Sequence, residues 1–204
     1  MTKTTLILGA PIQTGASQPG CVMGPQALRT AGLPQILSEL GWQVGDRGDL
    51  SIPPQTPQRH PNPAIHDLAE TCAWIELLNR EAYRAAQECS LPIFIGGDHS
   101  MSAGTIPGIA RHAADLGRPL FVLWLDAHPD LHRLDTTTSG NLHGTPMAYA
   151  CGLGDFAPYP PNRFALDPRH VCMMGIRSVD PAEAACIAAS GIEVNDVRVL
   201  DETG

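Results

Sequence analysis

Four runs of mostly consecutive apolar residues constrain this chain more than anything else in it: TTLILGA (4–10), LPIFIGG (91–97), PLFVLWL (119–125) and HVCMMGI (170–176). Apolar residues at successive positions, rather than at every second one, are what a strand needs when helices cover both of its faces. Helical spacing fills the intervals. Residues 25–41 carry apolar positions at that spacing with a break at Pro34. Ile65, Leu68, Cys72, Ile75, Leu78 and Ala82 form one stripe, with Asn62 and Pro63 as cap and first turn and an end near Cys89. Further helices are predicted over 101–116, 142–153 and 181–190, and the proline-rich residues 52–63 form a surface connection. Strands alternating with helices predict a doubly wound, mainly parallel α/β sheet in a single domain spanning 1–204.

Composition narrows the partners. With 43% hydrophobic and 17% charged residues the chain is globular. A formal charge of -8 without a run of Lys or Arg disfavours nucleic acid and anionic membrane surfaces. No stretch approaches the length of a membrane span, which leaves a small molecule as partner. Six cysteines without a C-x-x-C pair read as reduced, packed thiols, so a cytoplasmic location is expected.

In a doubly wound sheet, ligands bind beyond the C-terminal ends of the strands. Three such ends carry unusual polar residues: GGDHS (96–100), DAHPD (126–130) and IRSVD (176–180). If residues 126–130 stay extended, Asp126, His128 and Asp130 share one face and Ala127 and Pro129 the other. Taken singly, a His after two glycines reads as a loop or capping residue, and an Asp at a strand end as a helix cap. Together, imidazole and carboxylate without thiolate suit Mn, Fe, Zn or Mg, and carboxylates two residues apart are suited to bridging two ions.

GGDHS, DAHPD and SGNLHG (139–144), in that order and after PGCVMGPQALRTAGL (19–33), resemble the arginase branch of the ureohydrolase family, which includes agmatinases and formimidoylglutamases. The resemblance runs over essentially the whole chain. It implies a three-layer α/β/α fold and two Mn2+ ions whose bridging hydroxide attacks a guanidinium carbon, converting L-arginine to L-ornithine and urea. It also implies a small-molecule guanidino substrate and a trimeric or hexameric homo-oligomer. Carried over by motif, His99 and Asp130 bind the first ion, Asp126 bridges and His128 binds the second. His143 acts as proton donor or shuttle; packing at the start of a helix is the plainer alternative for it. Ser139 and Asn141 meet the substrate's α-carboxylate, and Asp180 and Glu183 its α-ammonium, although Asp180 ahead of Pro181 also reads as a helix cap.

Two departures qualify the match. Arginases usually carry Asn two positions after the last Asp of DAHPD, whereas here His132 stands as the substrate-binding residue, which opens the choice to another guanidino acid. The family's third strand-end motif, S-x-D-x-D-x-x-D-P, does not occur within 1–204, so the sequence is expected to be the front two-thirds of a ureohydrolase, lacking the last strands of the sheet. Residues 1–204 alone then hold at most one ion and are expected not to sustain turnover. The alternatives of another class are a truncated or degenerate, non-catalytic ureohydrolase-like domain, or a deacetylase-like zinc hydrolase on a related fold.

Overall fold

The structure, a computed structural model, describes residues 3–16 and 18–203. Strand β1 (Thr4–Ala10) leads through two short helices, α1 (Gly24–Thr30) and α2 (Leu33–Glu39), to β2 (Gln43–Asp49). The long helix α3 (Leu68–Glu88) precedes β3 (Leu91–Gly96), and α4 (Ser102–Asp115) precedes β4 (Val122–Leu125). Helix α5 (Pro146–Ala150), β5 (Val171–Ile176), α6 (Pro181–Ser190), β6 (Glu193–Asp196) and α7 (Val197–Thr203) complete the order. The strands form two three-stranded sheets, β2-β1-β3 and β4-β5-β6, with parallel pairing throughout. The fold is a three-layer α/β/α arrangement. No helix among the described residues is long and apolar enough to cross a membrane.

Several elements differ from expectation for identifiable reasons. Helix α3 begins at Leu68, not at Pro63, because Asn62 works in the loop. Its Oδ1 accepts from Ala64 N, and its Nδ2 donates to the carbonyls of Leu134 and Thr137. The segment 25–41 divides at Gly32, whose φ of 91° no helix continues. Pro34 then lies in the first turn of α2, where a missing N–H costs nothing. The helix expected over 142–153 shrinks to a 3-10 turn at Leu142–Gly144 and the five-residue α5.

Two strands carried no apolar signal. Strand β2 reads QVGDRGD and is largely exposed. It is held to α1 by Arg29, whose Nε lies 2.7 Å from Asp46 and whose Nη1 lies 2.5 Å from Asp49. Strand β6 reads EVND. The expectation of strands covered on both faces holds for β1 and β5 but not for β4. Phe121, Leu123 and Leu125, on one side of it, are 68%, 59% and 70% exposed, while Trp124 between them is buried.

The core collects Leu131, Leu134, Leu142, Met147, Met173 and Ile176 around the loops that follow β4 and β5, so the site loops stand on packed side chains. A close backbone approach sets the first of these loops. A Cβ on Gly97 would lie 1.8 Å from the Ile12 carbonyl oxygen, and that carbonyl accepts from Asp98 N at 2.8 Å. The loop after β1 is thereby laced to the end of β3.

Candidate metal centre and substrate cavity

All ten residues singled out from the sequence line a single cavity of about 400 Å3, together with Gly144 and Ser178. Its charged floor is built at the ends of β3 and β4. His99 Nδ1 lies 2.9 Å from Asp126 Oδ2 and 3.0 Å from Asp130 Oδ2, a grouping close enough to share one cation. Asp126 turns its other oxygen to His128, accepting from its backbone N at 3.0 Å and lying 3.7 Å from its Nδ1. His128 is the outlying member, with its side chain 58% exposed.

These ligands do not converge by strand alternation. Strand β4 ends at Leu125, and Asp130 sits at φ 50°, a left-handed conformation that non-glycine residues rarely adopt. The Asp130 carbonyl accepts from Met147 N (3.1 Å) and Ala148 N (3.3 Å) at the start of α5. A bent loop clamped by a helix N-terminus therefore aims Asp130 at His99, and surrounding contacts sustain the strain, as is common at functional sites.

The cap reading of an Asp at a strand end holds for Asp98, whereas the part played by Trp124 was missed. Trp124, buried in β4, stacks on His99 at 4.4 Å between centroids and 15° between planes, and donates from Nε1 to the His128 carbonyl at 3.2 Å. Asp98 caps the turn carrying His99: its Oδ1 accepts from Ser100 N and Oγ, and its Oδ2 accepts from Gly15 N at 2.8 Å. The Gly15 carbonyl in turn accepts from His143 N at 3.1 Å, so one buried carboxylate links the turns of His99 and His143. The Asp in GGDHS and the Trp ahead of DAHPD were visible in the sequence, but their partners are distant in it. His66, whose Nε2 meets Asn141 Oδ1 at 3.2 Å, left no signal.

The electrostatics of His99, Asp126 and Asp130 favour proton retention. Burial opposes a charged His99 imidazole, yet the hydrogen bonds and charges of Asp130 and Asp126 outweigh it and raise its pKa. Burial likewise raises the Asp130 carboxyl, against the pull of His99. Both shifts keep a proton in the trio to higher pH than the isolated groups would. A divalent ion must displace it, because the ligating forms are the neutral imidazole and the carboxylate. Affinity for a divalent ion is therefore expected to rise with pH, with release of protons, and to keep rising above the ordinary imidazole range because both shifts are upward. Calorimetric titration in two buffers of different ionisation enthalpy measures both; an affinity that is flat with pH contradicts the coupling.

A second cluster faces the same cavity. His132 Nε2 lies 2.6 Å from Asp180 Oδ2, and Glu183 completes the group. Asp180 and Glu183 reach the cavity while also forming a capping box for α6. Asp180 Oδ1 accepts from Ala182 N and Glu183 N, and Glu183 Oε2 accepts from Asp180 N. Glu183 Oε1 accepts from Leu131 N at 3.2 Å, joining α6 to the DAHPD loop. Burial works against the Asp180 anion, but the N–H groups of Glu183 and Ala182 and the nearby His132 hold its pKa down. Burial pushes the Glu183 carboxyl up. Ser139 Oγ accepts from Asn141 N, which leaves its own hydrogen to donate.

The chain resembles known proteins along nearly its whole length. The sequence profile described as the arginase family matches residues 3–204. An arginase of Agrobacterium fabrum is 56% identical over 202 residues, covering 99% of this chain and 62% of its own length. The solved arginase from Bacillus caldovelox superposes with a TM-score of 0.88 at 31% identity, covering 100% of this chain and 68% of that one. Arginase from Entamoeba histolytica, solved in complex with L-ornithine, gives 0.86 at 26% identity, with 100% and 68% covered. The chain thus spans less than two-thirds of the length of the Agrobacterium relative. With the profile matched along nearly all of its residues, the chain belongs to the arginase family.

Proposed function

We propose that the protein hydrolyses the guanidinium group of L-arginine to L-ornithine and urea, with two Mn2+ ions as cofactor. The observation that carries this reading is the meeting, in one cavity, of the His99, Asp126 and Asp130 trio with His143 and with the polar cluster of His132, Ser139, Asn141, Asp180 and Glu183. One imidazole with two carboxylates and no thiolate suits a hard or borderline divalent ion, and the excess of negative groups attracts a cation. His99, Asp126 and Asp130 would hold the first ion. Asp126 and His128 would contribute to the second. When bound, such ions lower the pKa of water toward neutrality and offset charge at the reacting centre.

The chain's own residues supply positioning and proton transfer. Hydrolysis joins a water oxygen to the guanidinium carbon and breaks that carbon's bond to the side-chain nitrogen, which leaves as an amine and must take up a proton. A ring nitrogen of His143 delivers it, since imidazole exchanges protons readily near neutral pH. Asp98 caps the turn that carries His99, and Trp124 stacks on its imidazole. L-Ornithine, found with the Entamoeba histolytica arginase, is the product expected here. A cytoplasmic setting suits the six free cysteines, among which burial holds Cys72 up at about 11 and Cys151 up at about 12. The resemblance also implies a trimer or hexamer.

The test is urea release by the full-length protein with added manganese. L-Arginine should exceed agmatine in kcat/KM by about tenfold or more, because agmatine lacks the carboxylate and with it a charge-assisted contact. Comparable values would overturn arginine as the preferred substrate, and no urea from either compound would overturn the hydrolase itself.

A further inference from the structure

We propose that His66 is a positioning residue for substrate binding: held by Asp67, it fixes the side-chain amide of Asn141 and so sharpens recognition of the substrate's α-carboxylate. This inference rests on the guanidino-hydrolase reading above, in which Asn141 meets that carboxylate, and assigns the side chain that sets the amide's orientation.

The segment ahead of α3 braces the loop that carries Ser139, Asn141 and His143. Asn62 Nδ2 donates to the carbonyls of Leu134 at 3.0 Å and Thr137 at 2.8 Å. Gly140, at φ 74°, packs so close that a Cβ on it would lie 1.8 Å from the Ala64 carbonyl oxygen. His66 extends this brace to a side chain, with its Nε2 3.2 Å from Asn141 Oδ1. Its other ring nitrogen, Nδ1, lies 3.0 Å from Asp67 Oδ2. A carboxylate only accepts, so this contact places a proton on Nδ1 and pins the plane of the ring.

Asp67 is committed to that task. It occupies the N-cap position of α3, where an Asp ordinarily accepts from the first turn, yet its side chain makes no cap hydrogen bond and turns to the imidazole instead. Its backbone is left-handed, at φ 52°. Among the described residues the other non-glycine residue with positive φ is Asp130, in the metal centre. Such conformations persist where surrounding contacts sustain them, and they gather at functional sites.

Amide geometry carries the effect to the cavity. The Asn side chain is planar, so holding Oδ1 also sets the direction of its NH2 donors. Asn141 lines the cavity beside Ser139, whereas His66 does not line it and acts through Asn141. An amide already held in place loses less freedom when a carboxylate arrives than one that rotates.

The experiment measures urea release from L-arginine by the manganese-loaded full-length protein in a cycle of wild type, His66→Ala, Asn141→Ala and the double variant. His66→Ala should raise KM about threefold to tenfold, the scale of one hydrogen bond, with kcat within about twofold of wild type and manganese content unchanged. In the Asn141→Ala background the same replacement should change KM by less than about twofold. His66→Gln, whose amide can also meet Asn141, should recover most of the loss. An unchanged KM in His66→Ala, or an equal loss with and without Asn141, overturns the inference and leaves the hydrolase reading intact. A fall in kcat or in manganese content that His66→Gln does not recover makes His66 a support of the fold alone and overturns it too. Absence of urea with the wild-type protein overturns the hydrolase reading and this inference with it.

Discussion

Replacing Asp126 by Asn should lower manganese affinity more than about 100-fold, beyond the 10- to 100-fold typical of losing an outer-shell partner, and more than replacing His128 by Asn does. The asymmetry follows from contacts. Asp126 Oδ2 lies 2.9 Å from His99 Nδ1, and Oδ1 both accepts from His128 N and lies 3.7 Å from His128 Nδ1. An amide of the same shape keeps an acceptor for His128 N, but it removes one of two negative charges from the trio and turns an NH2 group toward His99. A cation then meets a single carboxylate, Asp130, which burial already inclines toward its neutral form. His128 is 58% exposed and outside the tight trio, so its loss leaves that trio whole. Dialysis followed by metal analysis ranks the variants, and equal manganese content in the two would remove Asp126 from its bridging position.

The same contacts show what the sequence made legible. The placement of chemistry at strand ends was readable, because a run of apolar residues stopped by GGDHS or DAHPD can only deliver those polar groups at the rim of the sheet. The way they converge was not. Alternation assigns Asp126, His128 and Asp130 to one face, whereas a left-handed Asp130 clamped by Met147 N and Ala148 N produces a different trio with His99. Backbone conformation of this kind is imposed by partners far along the chain and leaves no periodic trace. Strand β2 was missed for a related reason. Its stability comes from pairing with β1 and from Arg29, not from apolar residues of its own. Asp180 carried both of its readings into the structure, its Oδ1 capping α6 while its Oδ2 meets His132 at the cavity.

His143→Ala should reduce urea turnover by about 10²- to 10⁴-fold, the range attributed to a positioned acid or base, while manganese stoichiometry stays unchanged. His143 lies on the turn Leu142–Gly144, tethered through its backbone N to the Gly15 carbonyl at 3.1 Å, and it lines the cavity without belonging to the His99, Asp126 and Asp130 trio. It bears electrostatically on Asp130, so it stands beside the trio without joining it. Removing the ring therefore takes away a proton carrier and leaves the ligands in place. The backbone tether survives the substitution, so the turn keeps its position and added imidazole has room to enter. Partial recovery of turnover with imidazole, at constant metal content, is the expected signature of a lost proton donor. Manganese lost from His143→Ala would instead make His143 a ligand, and the departing amine would need its proton from another group.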